Sequence, residues 1–154
     1  MEDKASRAGE ALLSRESRLT AGILVILLPT VAFGGTSILT MLIGDPGYTE
    51  NPLRQDLWRA GHAHAGVLLV LSLVTLRYVD ETSLSESLKR VARHSIPAAA
   101  VLLPAAFFLS VLSPEATEPN SLIYLAYVGA VSLATGLLVL GVGLIRERPV
   151  PRVE

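Results

Sequence analysis

Apolar residues along this chain gather into four long runs separated by polar stretches, and none of the runs alternates apolar with polar positions. The runs cover 19–43, 57–79, 96–112 and 122–145. Each reaches the roughly 17–25 residues that a helix needs to cross a hydrocarbon core of about 30 Å. A transmembrane barrel would show strands of period two, whereas continuous apolar runs must satisfy their backbone hydrogen bonds internally as helices. The pattern therefore predicts an all-α polytopic membrane protein, an up-down bundle of four transmembrane helices spanning 19–145 between tails at 1–18 and 146–154. The first run is much longer than the 7–15-residue core of a signal peptide and is read as a retained helix.

Composition agrees with that reading. Of 154 residues, 51% are hydrophobic and 18% charged, and the mean hydropathy is +0.50, outside the ordinary range of water-soluble domains. Cysteine is absent, which removes disulfides, thiolate metal sites and CxxC redox chemistry.

Charge distribution says more than net charge. Lys4, Arg7, Arg15 and Arg18 precede the first run, Arg77, Lys89, Arg90 and Arg93 surround the second connection, and Arg146, Arg148 and Arg152 follow the last run. The first connection holds Arg54 and Arg59 against Asp45, Glu50 and Asp56, and the third holds Glu115 and Glu118 with no base. Basic residues favour the cytoplasmic side of short loops, so both termini are expected in the cytoplasm and the first and third connections outside, in an inner membrane. Tyr48, Trp58 and Tyr124 then fall at the outer interface and Tyr78 at the inner one. Ser83 and Glu86 form a capping-box pattern before Leu84, Leu88 and Val91, predicting a short interfacial helix ahead of the third span. Pro29, Pro97 and Pro104 lie within spans, and the glycines, including Gly129, Gly136, Gly141 and Gly143, suit close helix packing in lipid.

The candidate chemistry lies in "RAGHAHAG", residues 59–66. His62 and His64 fall at the outer end of the second span, while His94 begins the third span on the other side of the membrane. Two positions apart on a helix of 3.6 residues per turn point roughly 200° apart, so the pair does not converge on one ion. His64 shares a stripe with Ala60, Gly61, Leu68, Ser72 and Thr75 and is expected to face the bundle interior; His62 shares one with Trp58, Ala65, Leu69, Leu73 and Leu76. Thr36, Ser37 and Thr40 of the first span either join His64 in a polar pocket or bond their own helix carbonyls.

The stretch "LWRAGHAHAGVLLVLSLV" resembles the second helix of the catalytic subunits of haem-copper oxygen and nitric oxide reductases, and "RAGHAHAG" also resembles a motif of small bacterial four-span proteins. The first resemblance implies that His62 or His64 is an axial ligand of haem. Four spans in place of about twelve, without histidine-rich later helices, exclude complete oxidase chemistry. The second axial ligand must then come from a partner, a second copy, or Met41 near the end of the first span, His/Met ligation being suitable for haem. Copper or zinc held by His62 or His64 with Asp45, Asp56, Glu115 or Glu118 is the other cofactor reading.

No phosphate loop, nucleophile elbow or pair of intramembrane carboxylates occurs, which leaves NTPase, hydrolase and proton-pump readings without a starting residue. The basic residues are not interleaved with aromatics, so nucleic acid is not an expected partner. The bilayer is, together with a homodimeric or larger membrane complex. The expected function is haem or metal binding at the outer end for electron transfer, sensing or ligand binding. The rival readings are a non-enzymatic accessory subunit of a larger complex and a small-molecule channel or carrier.

Overall fold

The computed structural model describes residues 13–146. The tail positions Lys4, Arg7, Arg148 and Arg152 lie outside them. The described chain folds into helices α1 (Arg15–Gly44), α2 (Pro46–Thr49), α3 (Pro52–Glu81), α4 (Glu86–Ser110) and α5 (Leu125–Arg146), with a 3₁₀ turn at Ser121–Tyr124 before α5. Four of these elements are long and apolar enough to cross a membrane.

The boundaries follow from side chains that satisfy the free amides of a helix start. Ser14 accepts from the Ser17 amide, Asn51 from that of Arg54, and Asn120 from that of Leu122. Pro52 occupies the first turn of α3, where no backbone donor is needed. The capping-box expectation requires correction: Ser85, not Ser83, precedes α4, and its side chain makes no capping bond. The expected separate interfacial helix is instead the opening of α4, which runs without a break through Pro97 and Pro104. Pro97 and Pro104 leave carbonyls four residues earlier without their usual donors, yet both are accommodated inside one helix.

Packing is serial. The α4–α5 and α3–α4 interfaces are the most extensive, α1 packs chiefly on α3, and α3 touches α5 only lightly. The four spans thus lie in sequence around α3 and α4, with α1 as an outrigger. Leu24 is the one α1 residue buried in the main apolar core, which also holds Leu68, Leu69, Leu76, Ala99, Ala100 and Leu103, with Ala21, Leu27, Leu28 and Val31 of α1 packed against it half-buried. Ile23, Ile26, Phe33 and Ile43 of α1 are exposed.

Glycines hold the tightest interface together. Gly129, Gly136 and Gly143 recur every seventh residue of α5, a spacing that keeps them on one face. A Cβ on Gly129 would stand 2.9 Å from Leu103, one on Gly136 2.7 Å from Ile96, and one on Gly143 2.7 Å from Leu84. Ser132 adds a hydrogen bond across this seam, donating to the Ser95 carbonyl at 2.9 Å. Gly141, off that face, has open space around it.

Contacts also establish the chain's direction. Ser17 near the start of α1 meets Arg93 near the start of α4, and Gly143 near the end of α5 lies against Leu84 of the α3–α4 connection. Both limits of the described chain therefore share one end of the bundle, here the Arg93 end; the α1–α3 and α4–α5 connections form the opposite, Arg54 end.

Candidate functional site

Helix α3 begins at Pro52, five residues before the apolar run, because Asn51 caps it and Pro52 suits its first turn. The helix start therefore lies well before the histidines, which keep their place toward the Arg54 end of the apolar run. His62 and His64 are ten and twelve residues inside a 30-residue helix, so His64 lies within about 4 Å of its midpoint at 1.5 Å per residue.

The two rings take opposite sides of α3. His62 is half-buried and faces α1: a Cβ added to Gly35 would stand 3.0 Å from its Cε1, and one on Gly34 would be 3.8 Å from its Nδ1. Glycine at these positions gives the imidazole room to lie flat against the α1 backbone. His64 is exposed, contrary to the expectation that it faces the interior. Gly61, Leu68, Ser72 and Thr75 of its stripe are indeed buried, with Gly61 against the Phe108 ring. α3 is packed on two flanks, by α1 and α4, and His64 falls at the edge of the α4 flank, its ring centroid 5.2 Å from that of Phe107.

Hydrogen bonding assigns the His64 tautomer. Its Nδ1 lies 2.7 Å from the Ala60 carbonyl oxygen. A carbonyl can only accept, so Nδ1 carries a proton, and in the neutral form of the ring Nε2 is the nitrogen with the lone pair. A neutral imidazole pinned by a carbonyl at one nitrogen is the usual arrangement of a histidine that ligates through the other.

The remaining ligands proposed from sequence do not gather around it. Gly35 faces His62 and Val31 faces Gly66, a register that puts Met41, six residues beyond Gly35, level with Asp56. Met41 is thus on the α1 side of α3, about two turns from His64, which points away from α1. Among the described residues no group of three or more His, Asp or Glu side chains is placed to hold a metal ion, so the copper or zinc set of His62 or His64 with outer carboxylates is not assembled. Asp45 instead accepts from the Gly47 amide as the cap of α2, and Asp56, Glu115 and Glu118 are exposed on end turns. His94 is exposed at the Arg93 end. Thr36 and Ser37 both donate to the Phe33 carbonyl and Thr40 to that of Thr36, so the polar pocket with His64 does not form.

Sequence reasoning missed two buried cations. Arg93, counted only among the basic residues around the second connection, is 2% exposed and lies among Glu16, Ser17 and Asp80. Arg54, counted against nearby acids, is 7% exposed and meets none of them. The one available signal was position: Arg93 and Asp80 flank a short connection and therefore face each other across it, whereas the surroundings of Arg54 depend on the distant 112–117 turn.

Comparison with known protein families, with curated proteins and with solved structures gave no match.

Proposed function

We propose that this is a multi-pass inner-membrane protein, with both termini cytoplasmic, that binds haem through His64 Nε2 in the outer half of the bilayer. The observation that carries the reading is the imidazole itself. It is fixed by Ala60 at Nδ1, exposed at mid-helix, and without a hydrogen bond at Nε2 among the described residues. An unmet polar group facing hydrocarbon is costly, and ionisable residues within spans are ordinarily paired or functional. Ala60, Ala63 and Val67, together with Phe107, leave a low apolar surface beside it, against which a flat macrocycle would rest.

Among the described residues there is one axial ligand and no second on the same side, since His62 is turned toward α1 and Met41 lies beyond it. This supports a ligand-binding or sensing role with an open sixth position, or a haem completed by another chain. The resident group would supply the redox or gas-binding chemistry; the residues of this chain hold and orient it.

A second reading, an accessory subunit in a larger membrane complex, draws on α1, of whose most apolar stretch only 6% is buried. In that case His64 Nε2 accepts a hydrogen bond from a neighbouring subunit. An absorption spectrum of detergent-purified protein from a haem-replete host separates the two. A Soret band that is lost in His64→Ala and retained in His62→Ala supports haem ligation as stated. A colourless protein after haem supplementation refutes it and leaves the accessory reading.

A further inference from the structure

At the Arg54 end, three buried polar atoms lack any hydrogen-bond partner: Arg54 Nε, Trp58 Nε1 and Tyr48 Oη. They belong to one cluster. The Arg54 guanidinium carbon lies 4.5 Å from the Trp58 ring centroid, the Tyr48 and Trp58 centroids are 6.1 Å apart, and Phe108 closes the other side of Trp58 at 5.9 Å. The guanidinium reaches only two carbonyls, those of Gly47 at 3.4 Å and Leu112 at 3.3 Å, both long for charge-assisted bonds.

The electrostatics point one way. Arg54 carries a full charge at 7% exposure with no carboxylate beside it, and it sits in the first turn of α3, where the helix dipole is already positive. Arginine and tryptophan nitrogens only donate, and a tyrosine hydroxyl can donate as well. A cluster with a net positive charge and three idle donors calls for an acceptor that brings negative charge.

We propose that Arg54, Trp58 and Tyr48 form a binding site for the phosphate of an anionic lipid headgroup. The depth is right for a lipid, because the site is at the end of the bundle, where aromatic rings meet the headgroup layer. Leu112, whose carbonyl Arg54 touches, is exposed and apolar. The water-facing approach is less favourable to a free anion. An open groove lies there between the Pro46–Leu53 and Pro114–Thr117 segments, and Glu50 and Glu115 line it. Gly47 belongs both to that groove and to the Arg54 contacts, and α2 closes against Pro114 there, a Gly47 Cβ having only 3.0 Å to it. Headgroup entry therefore requires α2, a single turn, to shift.

The test uses delipidated full-length protein in a neutral detergent, with thermal unfolding followed on addition of phosphatidylglycerol, phosphatidylcholine or inorganic phosphate. The expected result is a rise in Tm of several degrees with phosphatidylglycerol and little with the other two. Tyr48→Phe keeps its ring and removes only an idle hydroxyl, so it should fold without loss of basal Tm yet lose at least half of the phosphatidylglycerol shift; Trp58→Phe removes the indole donor together with part of the ring, so its basal Tm falls, and its shift measured from that lower baseline is likewise at least halved. Full retention of the shift in both variants, or no shift in the wild type, overturns the site. An equal shift with inorganic phosphate overturns the lipid assignment in favour of a free ion.

Discussion

The two buried arginines, at opposite ends of the bundle, have opposite surroundings. Arg93 donates Nε to Ser17 at 3.0 Å and Nη2 to Asp80 at 3.0 Å, and pairs through Nη1 with Glu16. Asp80 in turn accepts from the Ser14 amide at 2.7 Å, so the cluster ties the starts of α1 and α4 to the end of α3. Arg54 is nearly as buried but has carbonyls and an indole face in place of carboxylates. Burial of a charge alone therefore does not define its role. The compensated arginine is a structural tie between three helices, and the uncompensated one is left with binding capacity.

The largest expected difference comes from removing each arginine. Arg93→Gln strands Asp80, which is 12% exposed, and should cost about 3–5 kcal/mol, toward the lower figure because Glu16 is partly solvated. Arg54→Gln strands no carboxylate and should cost about 1 kcal/mol or less. Unfolding of both variants in the same detergent checks the pair; equal costs would mean that Arg54 is compensated by a group the cluster described here does not include.

A change at neither end gives the scale for packing. Gly136→Ala presses a methyl group onto Ile96, with its backbone nitrogen at 3.3 Å, and should destabilise by about 1–3 kcal/mol as α4 and α5 separate. If it is neutral by the same unfolding measurement, the glycine face is not the tight seam its distances indicate.

Tyr48→Phe sharpens the contrast with the opposite sign. The hydroxyl is fully buried without a partner, so its removal should raise stability by about 1 kcal/mol in delipidated protein. A loss of stability would show that the hydroxyl is already satisfied there. Gly141→Ala, with nothing near its absent side chain, is the smallest effect, a gain of about 0.5 kcal/mol from helix propensity. A cost comparable to that of Gly136→Ala would instead place a neighbouring chain against that face.

The histidines show how far a linear reading reaches. Their 200° divergence follows from helix geometry, and the rings do take opposite sides of α3. Which one faces inward does not follow, because α3 is flanked by two helices and residues of both stripes are buried, Leu68, Ser72 and Thr75 on one and Leu69 and Leu76 on the other. The Gly34–Gly35 step that receives His62 is 27 residues away from it in the chain, and no local pattern links them. Likewise the four spans were visible as apolar runs, while the five added residues at the start of α3 depended on the Asn51 cap and on Pro52 in its first turn, which hydropathy does not register.

By itself the sequence determined the helical class and the number and approximate extent of the spans, because these depend on bilayer thickness and backbone hydrogen bonding, both local properties. Only the tertiary structure decided that α1 is peripheral, that His64 is exposed with Nδ1 on the Ala60 carbonyl, and that Arg93 is paired while Arg54 is not. Those outcomes depend on which side chains arrive from distant helices, and in a bundle whose surfaces are nearly all apolar the pattern along one helix does not specify its neighbour.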